Sequence, residues 1–292
     1  MKSGFIGLAG RPNVGKSTLV NCLCKSHVAI VSDKPQTTRR RALGVVHAEG
    51  AQLVLVDLPG FQKPFDSLTE RMQRTVDRSL NDVDVACFVL DATEPPGAGD
   101  RFVAARLTVA KVPVIVALNK VDGMRPAAIG KSIERVATLV EFHSLHPISA
   151  LTGDGVDALR DEIVALLPEG PAYFEEGVTS DQPLELRISE LIREQALHVT
   201  RDELPHAIAV VVDELRLPTR KRGGAVVAAL TVETESQRRI VVGKGGSVIR
   251  DIGARARAQI ELEIGGAIYL DLTVKVRPRW RRDDSLLDRY GL

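Results

Sequence analysis

The residues most able to do chemistry in this chain stand together at Gly10-Arg11-Pro12-Asn13-Val14-Gly15-Lys16-Ser17-Thr18. The spacing G-x-x-x-x-G-K-[ST] is that of a phosphate-binding loop. Without a Cβ at Gly10 and Gly15, backbone N–H groups can curl around a β-phosphate. Lys16 then reaches the β- and γ-oxygens, and the Ser17 hydroxyl is a hard oxygen ligand suited to Mg²⁺. All nine residues are candidate nucleotide-binding residues. The apolar run Phe5-Ile6-Gly7-Leu8-Ala9 must be the strand that delivers this loop, and Leu19-Val20 lies in the helix that leaves it. The positive end of that helix points at the same anion.

Two further stretches supply what a bound triphosphate needs. Residues 32–40, Ser-Asp-Lys-Pro-Gln-Thr-Thr-Arg-Arg, are polar and broken by proline, so they read as a loop. Thr38 is the candidate to complete a Mg²⁺ shell while a γ-phosphate is present, with Thr37 its competitor. Strands at Ala42–Ala48 and Gln52–Asp57 turn at Glu49-Gly50, and the second ends in Asp57-Leu58-Pro59-Gly60. Asp57 is placed to hold Mg²⁺ through water, and the Gly60 N–H to sense the γ-phosphate. The next residue is Phe61, where a Ras-type switch has glutamine. A phenyl ring cannot orient an attacking water, so intrinsic hydrolysis is expected to be slow.

The base is selected by Asn119-Lys120-Val121-Asp122, which ends the apolar run Val112–Leu118. A carboxylate at Asp122 accepts from both N1–H and the N2 amino group of guanine, whereas adenine would leave it unpaired. Asn119 ties this loop to the phosphate loop, and the Lys120 stem lies against the base. Pro147–Leu151 reads as a short strand whose Ser149 and Ala150 close the site, with the Ala150 N–H aimed at guanine O6. The runs 83–91 and 112–118 are nearly all apolar, as in parallel strands covered on both faces by helices.

The totals leave room for a second domain. The 292 residues are 44% hydrophobic and 26% charged, enough for a core without staples. Residues 182–292 hold 19 Lys and Arg against 16 Asp and Glu, leaving 20 against 22 before them, so any nucleic-acid contact belongs to the C-terminal part. Three cysteines, 22, 24 and 87, form neither a disulfide framework nor a metal set, which fits a reducing cytosol. No apolar run approaches the roughly 18 residues of a membrane-spanning helix. The division expected is a nucleotide domain over 1–168, a Pro-, Gly- and acid-rich linker over 169–183, and a smaller α+β domain over 184–292.

In that last part the pattern predicts a helix at 184–199, strands at 207–217 and 225–234, helices at 236–242 and 246–258, and a strand at 267–276. Between the two later helices stands Gly243-Lys244-Gly245-Gly246, flanked by Ile240–Val242 and by Val248-Ile249-Arg250. A loop of this kind in a β-β-α-α-β setting clamps about four nucleotides of single-stranded RNA in the KH mode. Gly243, Lys244, Gly245, Gly246, Ile249 and Arg250 are the candidate RNA contacts. Trp280, inside the basic run Arg277–Arg282, reads as a side chain tucked into its domain, the alternative being a run that stacks on and neutralises RNA.

GRPNVGKST, QTTR, DLPG, NKVD and ISAL, followed by a KH loop VVGKGG, make this chain resemble the bacterial Era GTPases over essentially its whole length. The resemblance implies a P-loop GTPase domain with a mostly parallel sheet and a KH domain of the second topological type. It implies GTP or GDP and Mg²⁺ as cofactors, and binding near the 3′ end of 16S rRNA. It also implies a role in 16S rRNA maturation and assembly of the 30S subunit, in a cytoplasmic monomer that associates peripherally with the membrane. Phe61 agrees with relatives that carry a hydrophobic residue at the glutamine position, and Asn13 matches a K⁺ ligand of related GTPases. Lys16, Thr38 and Asn13 are thus the catalytic candidates. A competing reading keeps the RNA-binding module and makes the nucleotide domain structural, with negligible turnover.

Overall fold

The computed structural model describes every residue except 35, 61–63, 202–203 and 220–221, and, for residue 81, the backbone alone. Two compact units are present. The first comprises residues 1–31, 38–65 and 69–181; the second comprises 32–37, 66–68 and 182–292.

The first unit is built on a six-stranded sheet. Its strands are β1 (Lys2–Ala9), β2 (Ala42–Ala48), β3 (Ala51–Asp57), β4 (Val85–Asp91), β5 (Val114–Asn119) and β6 (Ser144–Pro147), in the order β2-β3-β1-β4-β5-β6. Only β2 runs antiparallel to its neighbour. The central strands are buried on both faces, and alternate residues feed two separate cores. Ile6, Leu8, Leu53, Leu55, Val85, Cys87 and Val89 face one side, under α1 (Lys16–Cys24) and α5 (Val156–Leu166). Val54, Val56, Ala86, Phe88, Leu90 and Val116 face the other, under α2 (Ser67–Asn81), α3 (Ala98–Ala110) and α4 (Pro126–Val136). Parallel strands carry a continuous apolar sequence for this reason.

Two sequence expectations shift here. The strand expected at 147–151 starts three residues earlier and ends at Pro147, as β6. The backbone from Ser149 onward is spent on a turn instead, with Ser149 N–H donating to Asp154 O at 2.9 Å and Gly153 N–H to Ser149 O at 2.8 Å. Residues 169–181 fold onto the first unit. Gln52 accepts from the N–H groups of Tyr173 (2.7 Å) and Phe174 (3.0 Å), and Val45 N–H donates to Thr179 O at 2.9 Å.

The second unit contains α6 (Leu184–Val199), the single turn α7 (Leu204–Ala207), β7 (Ala209–Arg216), β8 (Gly224–Val232), α8 (Glu235–Val242), α9 (Ser247–Ile264), β9 (Ile268–Val276) and α10 (Asp284–Arg289). Its sheet runs β7-β8-β9, antiparallel then parallel. α8 starts at a capping box: Gln237 N–H donates to Thr234 Oγ1 at 3.2 Å, and the Gln237 side chain accepts from Thr234 N–H at 3.1 Å. α9 continues six residues past its expected end, because Ala256 and Ile260 extend the buried stripe as far as Gly265, whose φ of 75° stops the helix.

Trp280 is fully buried. Its Nε1–H donates to Ala207 O at 2.9 Å and its ring meets Tyr290 edge-on at 5.4 Å. Trp280→Ala is expected to cost about 3–5 kcal/mol of stability, the range for a large buried aromatic, measured as the unfolding of the C-terminal unit in urea. A loss below about 1 kcal/mol would contradict this packing.

Candidate functional site

The phosphate loop joins β1 to α1. Gly15 has φ 99°, a left-handed conformation, and a Cβ there would sit 2.2 Å from Asn119 Nδ2. The Asn119 side chain fills that space because it bridges two loops. Its Nδ2 donates to Val14 O at 2.8 Å and its Oδ1 accepts from Ala150 N–H at 2.9 Å. Gly15→Ala should therefore force Asn119 out and lower guanine-nucleotide affinity by at least about tenfold, the effect of one lost charge-free bridge plus left-handed strain. Titration with fluorescent GDP checks it, and wild-type affinity would refute it.

Lys16 is buried and folds back over the loop, donating to Gly10 O and Arg11 O, both at 3.1 Å. Burial pulls its ammonium down to about 8, against the opposing pull of Asp57 and with a smaller push from Arg11. The Arg11 side chain turns away toward acids, with Glu94 at 2.5 Å, Asp100 at 3.4 Å and Asp91 at 3.9 Å. Arg11 thus offers the nucleotide its backbone. Asn13 adopts φ 65°, and Pro12 lies against Gly60, where a Cβ would come within 2.8 Å of the proline ring. Gly60 is thereby set directly behind the phosphate loop.

Three oxygens from three elements converge beside Lys16. Ser17 Oγ donates to Asp57 Oδ2 at 2.8 Å, Thr38 Oγ1 to the same oxygen at 3.1 Å, and the two hydroxyls stand 2.9 Å apart. Asp57 is wholly buried, and burial pushes its carboxyl up, against the counter-pull of Lys16 and of the two hydroxyl donors. Its second oxygen, Oδ1, has no hydrogen-bond partner among the described residues. An orphaned buried carboxylate oxygen among hydroxyls is a donor set that fits Mg²⁺, a hard cation taking oxygen ligands. Of the two threonines, Thr38 joins this group; Thr37 Oγ1 donates to Lys34 O at 2.7 Å. Phe61 lies outside the described residues.

At the other end of the site, Ser149 Oγ donates to Asp122 Oδ1 at 2.7 Å, which fixes the carboxylate. The Ala150 N–H, aimed at guanine O6 in the sequence reading, already donates to Asn119 Oδ1, so a base reaching it must share that bond. Lys120 has φ 67° and donates to Asp91 Oδ2 at 2.7 Å. Burial raises the Asp91 carboxyl, but Lys120 and Thr93 outweigh this and hold it below the usual range. The sequence reading missed Asp91; its signal was an acid ending a parallel strand beside the nucleotide crevice.

In the second unit, the glycine loop folds as a 3₁₀ turn, with Gly243, Gly245 and Gly246 at φ 72°, 59° and 78°. A Cβ on Gly243 would strike Val248 at 2.5 Å, whereas one on Gly245 would meet open space. Lys244 is exposed and Ile249 half-buried beside it. Arg250 donates to Gly245 O at 2.8 Å and Gly246 O at 3.1 Å, so it braces the loop from its C-terminal side.

Family models match the two units separately: a 50S ribosome-binding GTPase family over residues 5–120 and a KH domain over residues 203–281. Over the full length, the chain is 43% identical to GTPase Era of Heliobacterium modesticaldum, covering 100% of this chain and 97% of that one. It belongs to the Era family of GTPases. GTPase Era of Carboxydothermus hydrogenoformans is 42% identical over 99% of this chain and 97% of its own. Two solved structures at 37% identity cover 100% of this chain and 99% of theirs: an Aquifex aeolicus Era variant bound to GDP·AlF₄⁻, with TM-score 0.95, and Era in complex with MgGDPNP and nucleotides 1506–1542 of 16S ribosomal RNA, with TM-score 0.93. The chain is accordingly a GTP-hydrolysing enzyme with a KH RNA-binding domain, and guanine nucleotide and Mg²⁺ are its cofactors. The reading of a structural, non-hydrolysing nucleotide domain is set aside on this ground. No helix among the described residues is long and apolar enough to cross a membrane.

Proposed function

We propose that this protein is an RNA-gated GTPase that acts on the 3′ end of 16S rRNA during maturation of the 30S subunit. One observation carries the switch part of the reading. Ser17, Thr38 and Asp57, drawn from the phosphate loop, the 32–40 loop and the end of β3, close on one point. Thr38 can stay in that group only while its loop is folded in, so it reports the presence of a triphosphate. The RNA part rests on the glycine loop at 243–246 and on the rRNA fragment carried by the Era complex.

The reaction is GTP plus water giving GDP and phosphate. Backbone groups of Gly10 to Gly15 cradle the phosphates, and Lys16 leaves its loop carbonyls to stabilise charge on the transferring γ-phosphoryl group. Ser17 and Thr38 would hold Mg²⁺ directly and Asp57 through water; the ion supplies charge neutralisation across the β- and γ-oxygens. Thr18 lies in the first turn of α1, and Gly60 offers its N–H to the γ-phosphate. Asn119, Lys120, Asp122, Ser149 and Ala150 select guanine. Phe61 leaves the water to other groups, which keeps the unaided rate slow. Asn13 is read as a K⁺ ligand, and a hydrolysis rate equal in K⁺ and Na⁺ would remove it from that role.

On this reading the protein works in the cytoplasm as a monomer, where ribosomal precursors are, with peripheral contact to the membrane. GTP turnover with and without an oligonucleotide of the 16S 3′ end tests the central reading. RNA should bind and accelerate turnover; binding without any change in rate would overturn the gating.

A further inference from the structure

Two short stretches of the nucleotide-domain sequence belong to the C-terminal unit: residues 32–37, which end one residue before Thr38, and residues 66–68, which open α2. Within that unit each is held by a buried or half-buried arginine. Arg193, on α6, is 2% exposed and donates through Nη2 to the Thr37 carbonyl. Its guanidinium is oriented by Glu190 one turn earlier, which accepts from Nε at 3.1 Å and from Nη2 at 2.6 Å. Arg281 lies 3.5 Å from Asp66, whose side chain is 4% exposed, and is itself fixed by Glu233 at 2.8 Å.

The placement of Arg193 is costly unless it does something. Burying a guanidinium strips its positive charge of water, and Nη1 has no hydrogen-bond partner among the described residues. An α6 built only to pack would carry an apolar residue there, as it does at Ile188, Leu191 and Ile192. Instead the helix spends its one deeply buried cation on a main-chain oxygen. That oxygen belongs to the peptide unit whose nitrogen is Thr38. A peptide unit is planar and rigid, so fixing the Thr37 carbonyl also fixes the direction in which the Thr38 backbone leaves it. The Thr38 hydroxyl, at 2.9 Å from Ser17 Oγ, is sensitive to displacements of well under an ångström.

We propose that Arg193 is a positioning residue for GTP hydrolysis, holding the Thr37 carbonyl and with it the direction in which the chain enters Thr38, whose hydroxyl meets Ser17 and Asp57. Glu190 sets the direction of the guanidinium, and Arg281 on Asp66 is the corresponding hold on the segment after residues 61–63. The inference rests on the gated-GTPase reading for its physiological meaning, while the Arg193 geometry is independent of which RNA binds.

The test uses the full chain with Arg193→Met and Arg193→Lys. Four quantities are measured: single-turnover GTP hydrolysis with and without a 16S 3′-end oligonucleotide, affinity for that oligonucleotide, affinity for GDP, and affinity for a non-hydrolysable GTP analogue at limiting Mg²⁺. Thr38 serves the triphosphate alone, so Arg193→Met should weaken the analogue about tenfold, the loss of one charge-assisted hydrogen bond, and slow single turnover by a similar factor. GDP and oligonucleotide affinities should stay within about twofold, and Arg193→Lys should recover part of both losses, because an ammonium still reaches one carbonyl. Should Arg193→Met fail to fold, the lysine variant carries the test through its ratio of analogue to GDP affinity. Unchanged analogue affinity and turnover would overturn the proposal. So would a parallel loss of oligonucleotide and GDP binding, which marks a purely structural arginine. A wild-type protein whose turnover ignores RNA would overturn the gating reading alone, since the analogue-to-GDP ratio would still decide the role of Arg193.

Discussion

Replacing Asp122 by asparagine is expected to transfer this enzyme's preference from GTP to XTP. The wild-type carboxylate is held by Ser149 at 2.7 Å, at the mouth of a loop that Asn119 ties to Val14 and Ala150. Asparagine keeps the shape and can still accept from Ser149, but it turns a donor where guanine also presents donors. Two hydrogen bonds to a charged acceptor are lost, which together cost about 3–4 kcal/mol, or roughly 10²–10³ in affinity. Xanthine places a carbonyl where guanine has its amino group and accepts the new N–H. Competition of GTP and XTP against a fluorescent guanine nucleotide measures both changes. GTP affinity within threefold of wild type would mean that Asp122 does not read the base.

The second large effect concerns Lys16. Its ammonium now bonds the carbonyls of Gly10 and Arg11, so it is positioned before any phosphate arrives. Lys16→Ala should lower the single-turnover rate by about 10²–10³, as for loss of one preorganised donor to a developing oxyanion. The loss should exceed that in GDP affinity, because the charge it answers is greatest in the transition state. Rapid-quench measurement at saturating nucleotide separates the two, and an equal loss in both would assign Lys16 to binding alone. Oligonucleotide binding by the C-terminal unit is expected to be untouched in this variant.

These expectations draw differently on sequence and on tertiary structure. The phosphate loop, Asp57, Asn119–Asp122 and the glycine loop at 243–246 were all legible as short patterns, because each is a local backbone shape fixed by nearby residues. Gly15 takes the left-handed φ of 99° that its own turn requires and that favours glycine over other residues. The strands of the first unit were legible for a related reason: runs such as 85–90 and 114–118 are apolar at every position, and only burial on both faces accounts for that. The end of α9 and the site of β6 were less so, since a helix runs as far as its buried stripe and an edge strand is set by pairing with its neighbour.

Chain folding alone decided which long-range partners each motif acquired. Nothing local distinguishes Thr38 from Thr37; the choice follows from which hydroxyl the fold brings to Ser17 and Asp57, and the rejected residue turned out to offer its carbonyl to Arg193 instead. Asp91 and Lys120, 29 residues apart, meet because β4 and β5 are parallel neighbours that end together. By itself the sequence determined that this chain binds a guanine nucleotide and carries a KH loop, since those needs are met by residues close in the chain. The tertiary structure decided where the charges go, because a buried charge must be answered by whatever the fold sets beside it.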